Sequence, residues 1–169
     1  MAAEKPKTET QLDLFRTPAG QPRQGAPEPG PIWVLYIDGG ARGNPGPAGA
    51  GAVLFDGTGR KIAGMRWPLG RVTNNEAEYE GLIRGLEMAL TAGARRLEVR
   101  SDSELVVKQM LGEYKVKAPH LRKAVMKART LLASFAETAF KSVPRGENRE
   151  ADRLANLAMD EARGKRGKS

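Results

Sequence analysis

The sequence predicts an α/β fold, a mixed sheet flanked by helices, and three observations carry that expectation. Hydrophobic and turn patterns run in the order β-β-β-α-β-α-α-β-α. Three consecutive strands with short links make an antiparallel meander, while strands that alternate with helices join a sheet in parallel. A chain of 169 residues, 40% hydrophobic and 28% charged, also has the length and composition of one soluble domain with a real core.

The elements follow in chain order. Residues 1–30 are rich in Pro, Gly, Gln and charge and read as a disordered tail, with one apolar cluster, Leu12, Leu14 and Phe15. The globular pattern begins at Ile32, so the domain is expected over 31–163. Strands are expected at 32–38, about 48–56 and about 60–69, with Gly57, Thr58 and Gly59 turning the last two. Thr73 suits the N-cap of a helix that reaches Ala92 and ends at Gly93. In that helix Ala77, Gly81 and Gly85 make a small-residue stripe fit to lie close on a sheet, beside Leu82, Leu86 and Leu90. A strand at 95–101 and a short helix at 103–111 follow. A third helix runs from Pro119 to Leu132, with Leu121, Val125, Ala128 and Leu132 on one face. A strand at about 137–143 and a helix at about 148–163 complete the domain. Residues 164–169, Gly-Lys-Arg-Gly-Lys-Ser, read as a basic, flexible C-terminus. Trp33 and Trp67 fall in strands and are expected in the core.

Composition excludes several classes. No apolar run approaches the roughly 18 residues of a membrane span, so no membrane role is expected. The start, Met-Ala-Ala-Glu-Lys, lacks the apolar core of a secretory signal. Cysteine is absent, which rules out disulfides and thiolate metal sites and fits a reducing, cytoplasmic location. A net charge of +8 and a pI near 10 favour a polyanionic partner such as nucleic acid, although solubility alone explains the charge equally well.

Chemistry enters at Asp38. The apolar run Ile32–Ile37 ends in this carboxylate, and a charge at the end of a buried strand is costly unless it is paired, hydrogen-bonded or bound to a metal. Asp102 follows the strand Leu-Glu-Val-Arg-Ser in the same way. Glu78 lies early in the first helix, and Asp152 near the start of the last. Two strand ends and two helix starts can converge at one sheet edge, where open α/β sheets put their sites. Carboxylates gathered there repel one another and need cations. An oxygen-only donor set points to hard metals, Mg²⁺ or Mn²⁺. Two such ions about 4 Å apart would activate water and stabilise the leaving oxygen in phosphodiester cleavage. Any one of these acids alone reads first as a turn, cap or helix-dipole residue, and the argument rests on the four together.

The four segments around these acids, "YIDGGARGNPGPAGAGAVL", "TNNEAEYEGLIRGL", "SDSELVVKQM" and "GENREADRLANLA", resemble in order the four acidic motifs of the type 1 ribonucleases H. The spacings of 40, 24 and 50 residues agree, and the resemblance covers about residues 32–162. It implies a ribonuclease H-like fold with a five-stranded mixed sheet flanked by helices. It also implies a hybrid-specific endonuclease that cleaves the RNA strand of RNA–DNA hybrids. By position Asp38, Glu78, Asp102 and Asp152 would be the catalytic, metal-binding carboxylates for two Mg²⁺ or Mn²⁺ ions, with Asp38 bridging both. Glu76 and Glu80 neighbour Glu78, but the motif selects Glu78.

The resemblance also implies substrate contacts. Backbone at Gly39 and Gly40, with Asn44, would lie along the RNA strand and its 2′-hydroxyls, and Asn74 and Asn75 near the minor groove. Read locally, the glycines are a tight turn and Asn75 is a helix cap. Three departures stand out. The loop before Asp152 lacks the histidine many members carry there, and Arg145 is the nearest replacement, as a phosphate contact. His120, the one histidine, reads as a surface residue. Glu104 stands where Gln is frequent and reads as facing solvent. The linker "GEYKVKAPH" lacks the basic, Trp-bearing protrusion of many bacterial members, which resembles the archaeal-like subgroup. Arg122, Lys123, Lys127 and Arg129 on the following helix would then grip phosphate or simply face water.

The tail adds one motif. Gln11, Leu12, Asp13, Leu14 and Phe15 resemble the peptide by which many bacterial replication and repair proteins bind the sliding clamp. A chance match, or a segment that packs on its own domain, is the alternative. For the whole chain, the rivals to a hybrid nuclease are a hybrid-binding module without activity and a related nuclease of the same fold. A monomer is expected.

Overall fold

The computed structural model describes residues 30–166. Five strands, β1 (Ile32–Ala41), β2 (Gly46–Phe55), β3 (Lys61–Val72), β4 (Arg96–Ser101) and β5 (Glu137–Ser142), form one sheet in the order β3-β2-β1-β4-β5. The first three pair antiparallel, and β4 joins β1, and β5 joins β4, in parallel. Helices α1 (Asn74–Ala92), α2 (Glu104–Met110), α3 (Pro119–Leu132) and α4 (Arg149–Arg166) complete the fold. Among the described residues no helix is long and apolar enough to cross a membrane.

Alternation along the strands divides the sheet into two faces. Leu35 and Ile37 of β1, Ala52 and Leu54 of β2, and Leu97 and Val99 of β4 point into the main core, against Leu82 and Leu86 of α1 and Leu121, Val125 and Leu132 of α3. On the opposite face Tyr36, Val53 and Phe55 pack with Ala151 and Leu154 of α4.

Local chemistry sets the helix limits. Thr73 caps α1 in a reciprocal box: its Oγ1 accepts from the Glu76 N–H at 3.2 Å, and Glu76 Oε2 accepts from the Thr73 N–H at 2.7 Å. Gly93 closes α1 in the left-handed region, at φ 96°. The cap is thus Thr73, and Asn75 sits at the second helical position.

Three expectations need correction. The glycines after Asp38 are strand, not turn: Gly39, Gly40 and Ala41 continue the ladder opposite Ala50, Gly49 and Ala48, and the chain reverses only at Arg42–Pro45. Pairing with a neighbouring strand outweighs glycine's weak strand preference there. Helix α4 runs on to Arg166, past the expected end near residue 163, because no proline interrupts its backbone ladder there. The two tryptophans are only half-buried against the core, Trp67 on the edge strand β3 and Trp33 near the start of β1, where the sheet leaves an indole partly uncovered. Residues 11–15 lie outside the described residues.

Candidate active site

The parallel pairing of β1 with β4 aligns Ile37 with Ser101, so Asp38 and Asp102 leave neighbouring strands at the same level. Both belong to the α4 face, as Tyr36 and Arg100 show one residue pair earlier: Arg100 Nη1 donates to the Tyr36 hydroxyl at 2.7 Å.

Glu78 reaches this edge because α1 presses its backbone onto the end of β1. A Cβ on Gly39 would lie 2.2 Å from the Ala77 carbonyl oxygen, and one on Gly81 2.7 Å from the Asp38 carbonyl oxygen. Side chains at these crossings would push the helix away. Glu78 is aimed by two donors, the Ser103 hydroxyl, 3.0 Å from its Oε2, and the Asn74 amide. Its neighbours are otherwise engaged, Glu76 in the cap and Glu80 with Arg84 at 3.0 Å.

Asp152 arrives on the first turns of α4, behind a 3₁₀ turn at Arg145–Glu147. Asn148, buried at the head of that helix, donates its side-chain amide to the Ile37 carbonyl at 2.9 Å. The start of α4 is thereby fastened to the residue preceding Asp38.

Three of these carboxylates, Asp38, Glu78 and Asp102, are pushed up by burial and by neighbouring acids. Burial, then the charges of Asp102 and Asp152, push the Asp38 carboxyl up to about 8, and it lies within hydrogen-bonding reach of Asp152. Burial pushes Glu78 up to about 7, with Asp102 adding to the rise against the Ser103 and Asn74 hydrogen bonds. Burial also raises Asp102, opposed by Arg145. Among the described residues Asp102 Oδ2 is buried without a hydrogen-bond partner, and the Arg145 Nε stands 3.8 Å from it. A set of oxygen donors with one orphaned buried oxygen fits hard divalent cations. Among the described residues no three His, Cys, Asp or Glu side chains stand as a ready-made cage, so water and substrate oxygens would complete any coordination.

Beside the carboxylates the β1–β2 loop is tied to both site helices. Asn74 Oδ1 accepts from the Ala41 N–H at 3.3 Å, and Asn44 Oδ1 accepts from the Asn74 N–H at 3.1 Å. Asn74 therefore touches the loop and Glu78 together. Arg42 pairs with Asp160 of α4 and lies within 3.4 Å of the Asn156 side-chain oxygen, while the Asn156 amide donates to the Asp152 carbonyl at 2.9 Å. Asn75 is half-buried on α1 beside this edge. Arg145 is exposed, and its ion pair among the described residues is with Asp102.

The remaining expectations resolve simply. Glu104 faces solvent with Lys108 at 3.5 Å, as expected. His120 is exposed in the first turn of α3 and lies near Glu76, away from the carboxylates. Arg122, Lys123, Lys127 and Arg129 are all exposed, with Lys127 3.6 Å from Glu87. Sequence reasoning missed Ser103, Asn148 and the Arg42–Asn156–Asp160 group. Ser103 carried a signal, as a capping serine directly after Asp102; it accepts from the Val106 N–H at 3.3 Å. Asn148, four residues before Asp152, carried a weaker one.

A family model described as reverse transcriptase-like matches residues 36–158. The bifunctional protein Rv2228c of Mycobacterium tuberculosis is 49% identical over 130 residues, 76% of this chain and 36% of that protein. The structure of its N-terminal RNase H domain superposes with a TM-score of 0.78 at 47% identity, over 80% of this chain and 99% of that one. Ribonuclease HI of Halobacterium salinarum is 46% identical over 75% of this chain and 64% of its own length. LC11-RNase H1, solved in complex with an RNA/DNA hybrid, matches with a TM-score of 0.72 at 44% identity, over 77% of this chain and 98% of that one. The chain spans about a third of the mycobacterial relative and just under two thirds of the halobacterial one. The likeness covers the whole described fold at substantial identity, and it places this chain in the type 1 ribonuclease H family.

Proposed function

We propose that this domain is an endonuclease that hydrolyses the RNA strand of RNA–DNA hybrids. One observation carries the reading: Asp38 faces Asp102 and Asp152 at a sheet edge whose helices also hold the β1–β2 loop. The likeness to a ribonuclease H1 solved with an RNA/DNA hybrid supports it.

Asp38, Glu78, Asp102 and Asp152 would hold two Mg²⁺ or Mn²⁺ ions, whose chemistry is to activate water and stabilise the leaving oxygen. The protein's own part is orientation. Asp38 lies close enough to Asp102 and Asp152 to feel both charges, and Ser103 and Asn74 aim Glu78 and favour its ionised form. Backbone at Gly39 and Gly40, with Asn44, reads ribose 2′-hydroxyls, and Asn74 and Asn75 follow the minor groove. Arg145, exposed beside Asp102, contacts phosphate in place of the missing loop histidine.

The enzyme acts as a cytoplasmic monomer, and residues 11–15 tether it to the sliding clamp in this reading. The clamp peptide stands on its sequence alone: Leu12, Leu14 and Phe15 supply apolar anchors and Gln11 a hydrogen bond. Docking would be weak, but tethering raises the local concentration of the enzyme where hybrids form.

The test is cleavage of a labelled hybrid in Mg²⁺ or Mn²⁺ by wild type and by Asp38→Asn. Wild type cuts the RNA strand, and Asp38→Asn binds hybrid without cutting it. Near-normal turnover by the variant would remove Asp38 from the site. Separately, a bacterial clamp should bind the full chain at tens of micromolar or tighter, and Leu14→Ala with Phe15→Ala should abolish that binding.

A further inference from the structure

On the α4 face of the sheet, one row of side chains before the carboxylates, lies a groove of about 540 Å³. Its floor is Ile32, Val34 and Tyr36 of β1 with Val53 and Phe55 of β2. The 3₁₀ turn and the first residues of α4, through Ala151, form its wall. The floor is largely apolar. Tyr36 and Phe55 meet edge to face with centroids 5.8 Å apart, and the Arg100 guanidinium lies 5.5 Å from the Tyr36 ring centre. The charge of Arg100 is matched by Glu98 at 2.6 Å, so it does not make the floor an anion site.

The chain enters the fold at the rim of this groove. Pro31 packs so closely on Gly57, one of the groove's lining residues, that a Cβ there would lie 2.2 Å from it. The Gly30 carbonyl is held by Arg96 Nη1 at 3.1 Å. The groove is therefore adjacent to the end of the segment that precedes the fold. That segment contains one cluster of large apolar side chains, Leu12, Leu14 and Phe15.

We propose that residues 12–15 of the same chain dock in this groove, with the leucines and Phe15 on the Val34–Tyr36–Val53–Phe55 floor and Asp13 toward the exposed Arg149 at its rim. The connection has ample length. Residues 16–29 separate Phe15 from Gly30, and at about 3.3–3.6 Å per residue they span up to roughly 50 Å. A tether of this kind gives an effective concentration in the millimolar range, enough for a short apolar peptide to occupy an adjoining groove. Docking stiffens the turn that carries Arg145 and Asn148, which line or flank the groove and reach Asp102 and Ile37. The same three apolar side chains cannot serve a partner while they lie in the groove, so docking competes with any external capture of the tail. The proposal depends neither on nuclease activity nor on clamp binding.

The test uses the full chain and the absence of cysteine. Thr17→Cys takes a single nitroxide label, and backbone amide signals are read by NMR with the label oxidised and reduced. Docking predicts that the Val53, Phe55 and Gly59 amides lose more than half their intensity while β5 amides keep theirs. Leu14→Ala with Phe15→Ala in the labelled chain restores the signals, and so does Ile32→Glu, which puts a charge on the groove's apolar floor. Unchanged intensities in the parent chain, or equal losses in the tail double variant, overturn the proposal. Broadening that appears when isotope-enriched unlabelled protein is mixed with nitroxide-labelled protein would mean contact between copies and would also overturn it.

Discussion

The Asn148 side-chain amide donates to the Ile37 carbonyl at 2.9 Å, joining residues 111 positions apart. This bond fixes where α4 starts relative to the end of β1, and hence where Asp152 stands relative to Asp38. Among the described residues the Asn148 Oδ1 has no hydrogen-bond partner, so the amide group is held there by one side only.

Asn148→Ala is expected to cost about 1–3 kcal/mol, since it leaves a buried carbonyl without its donor. The loss in kcat should exceed the change in KM, because the displaced group is a carboxylate of the site rather than a substrate contact. Thermal melts and steady-state kinetics on a fixed hybrid check this. A variant with wild-type kcat would show that Asp152 is positioned without Asn148.

Metal-free stability should fall as pH rises from about 5 to 8. Asp38 in the fold is raised from 3.8 to about 8 and Glu78 from 4.5 to about 7, so the folded chain binds protons more tightly than the unfolded chain. Their favourable contribution is complete below the unfolded values and disappears as pH passes through the folded ones. Melting temperatures in chelator across that range should decline, and Asp38→Asn should flatten the decline and melt higher at pH 8. Added Mg²⁺ should restore wild type most at the alkaline end, where protons compete least. A flat wild-type profile would contradict the crowding of these carboxylates.

Asp160→Ala tests the brace between the β1–β2 loop and α4. Asp160 pairs with Arg42 at the surface, so global stability should change by less than about 1 kcal/mol. Loosening the loop proposed to read the RNA strand should raise KM about two- to five-fold, the range of an exposed ion pair, with kcat nearly unchanged. Asp160→Glu should recover most of the loss. An equal fall in kcat would place Asp160 nearer the chemistry than its position implies.

Cleavage should require several consecutive ribonucleotides, and duplex DNA should bind without being cut, because the Gly39–Asn44 segment is proposed to read 2′-hydroxyls. Affinity for both duplexes should drop steeply with salt, as expected for a chain of net charge +8 that gains most of its binding from phosphate contacts. Hybrids with one, two, four and eight ribonucleotides, titrated at two salt concentrations, provide the measurement. Efficient cutting at a single ribonucleotide would assign specificity to something other than that segment.

The sequence by itself determined the order of the elements, the limits of α1 and α3 and the placing of four acids at two strand ends and two helix starts. These are written within a few residues of one another: an alternating or helical run, Thr73 with Glu76 at one end of α1, Gly93 at the other, and an acid after an apolar strand. The tertiary structure decided which groups those carboxylates meet. That Gly39–Ala41 remain in the sheet depends on β2 and on the backbone of α1, neither of which is visible from three small residues. Ser103 aims Glu78 from 25 positions away, Asn148 holds Ile37 from 111, and Asp160 holds Arg42 from 118. Propensity and periodicity act over one or two turns of chain, whereas a hydrogen bond between distant segments exists only after packing has brought them together. The acids can therefore be read from the chain, but the partners that orient them belong to the fold.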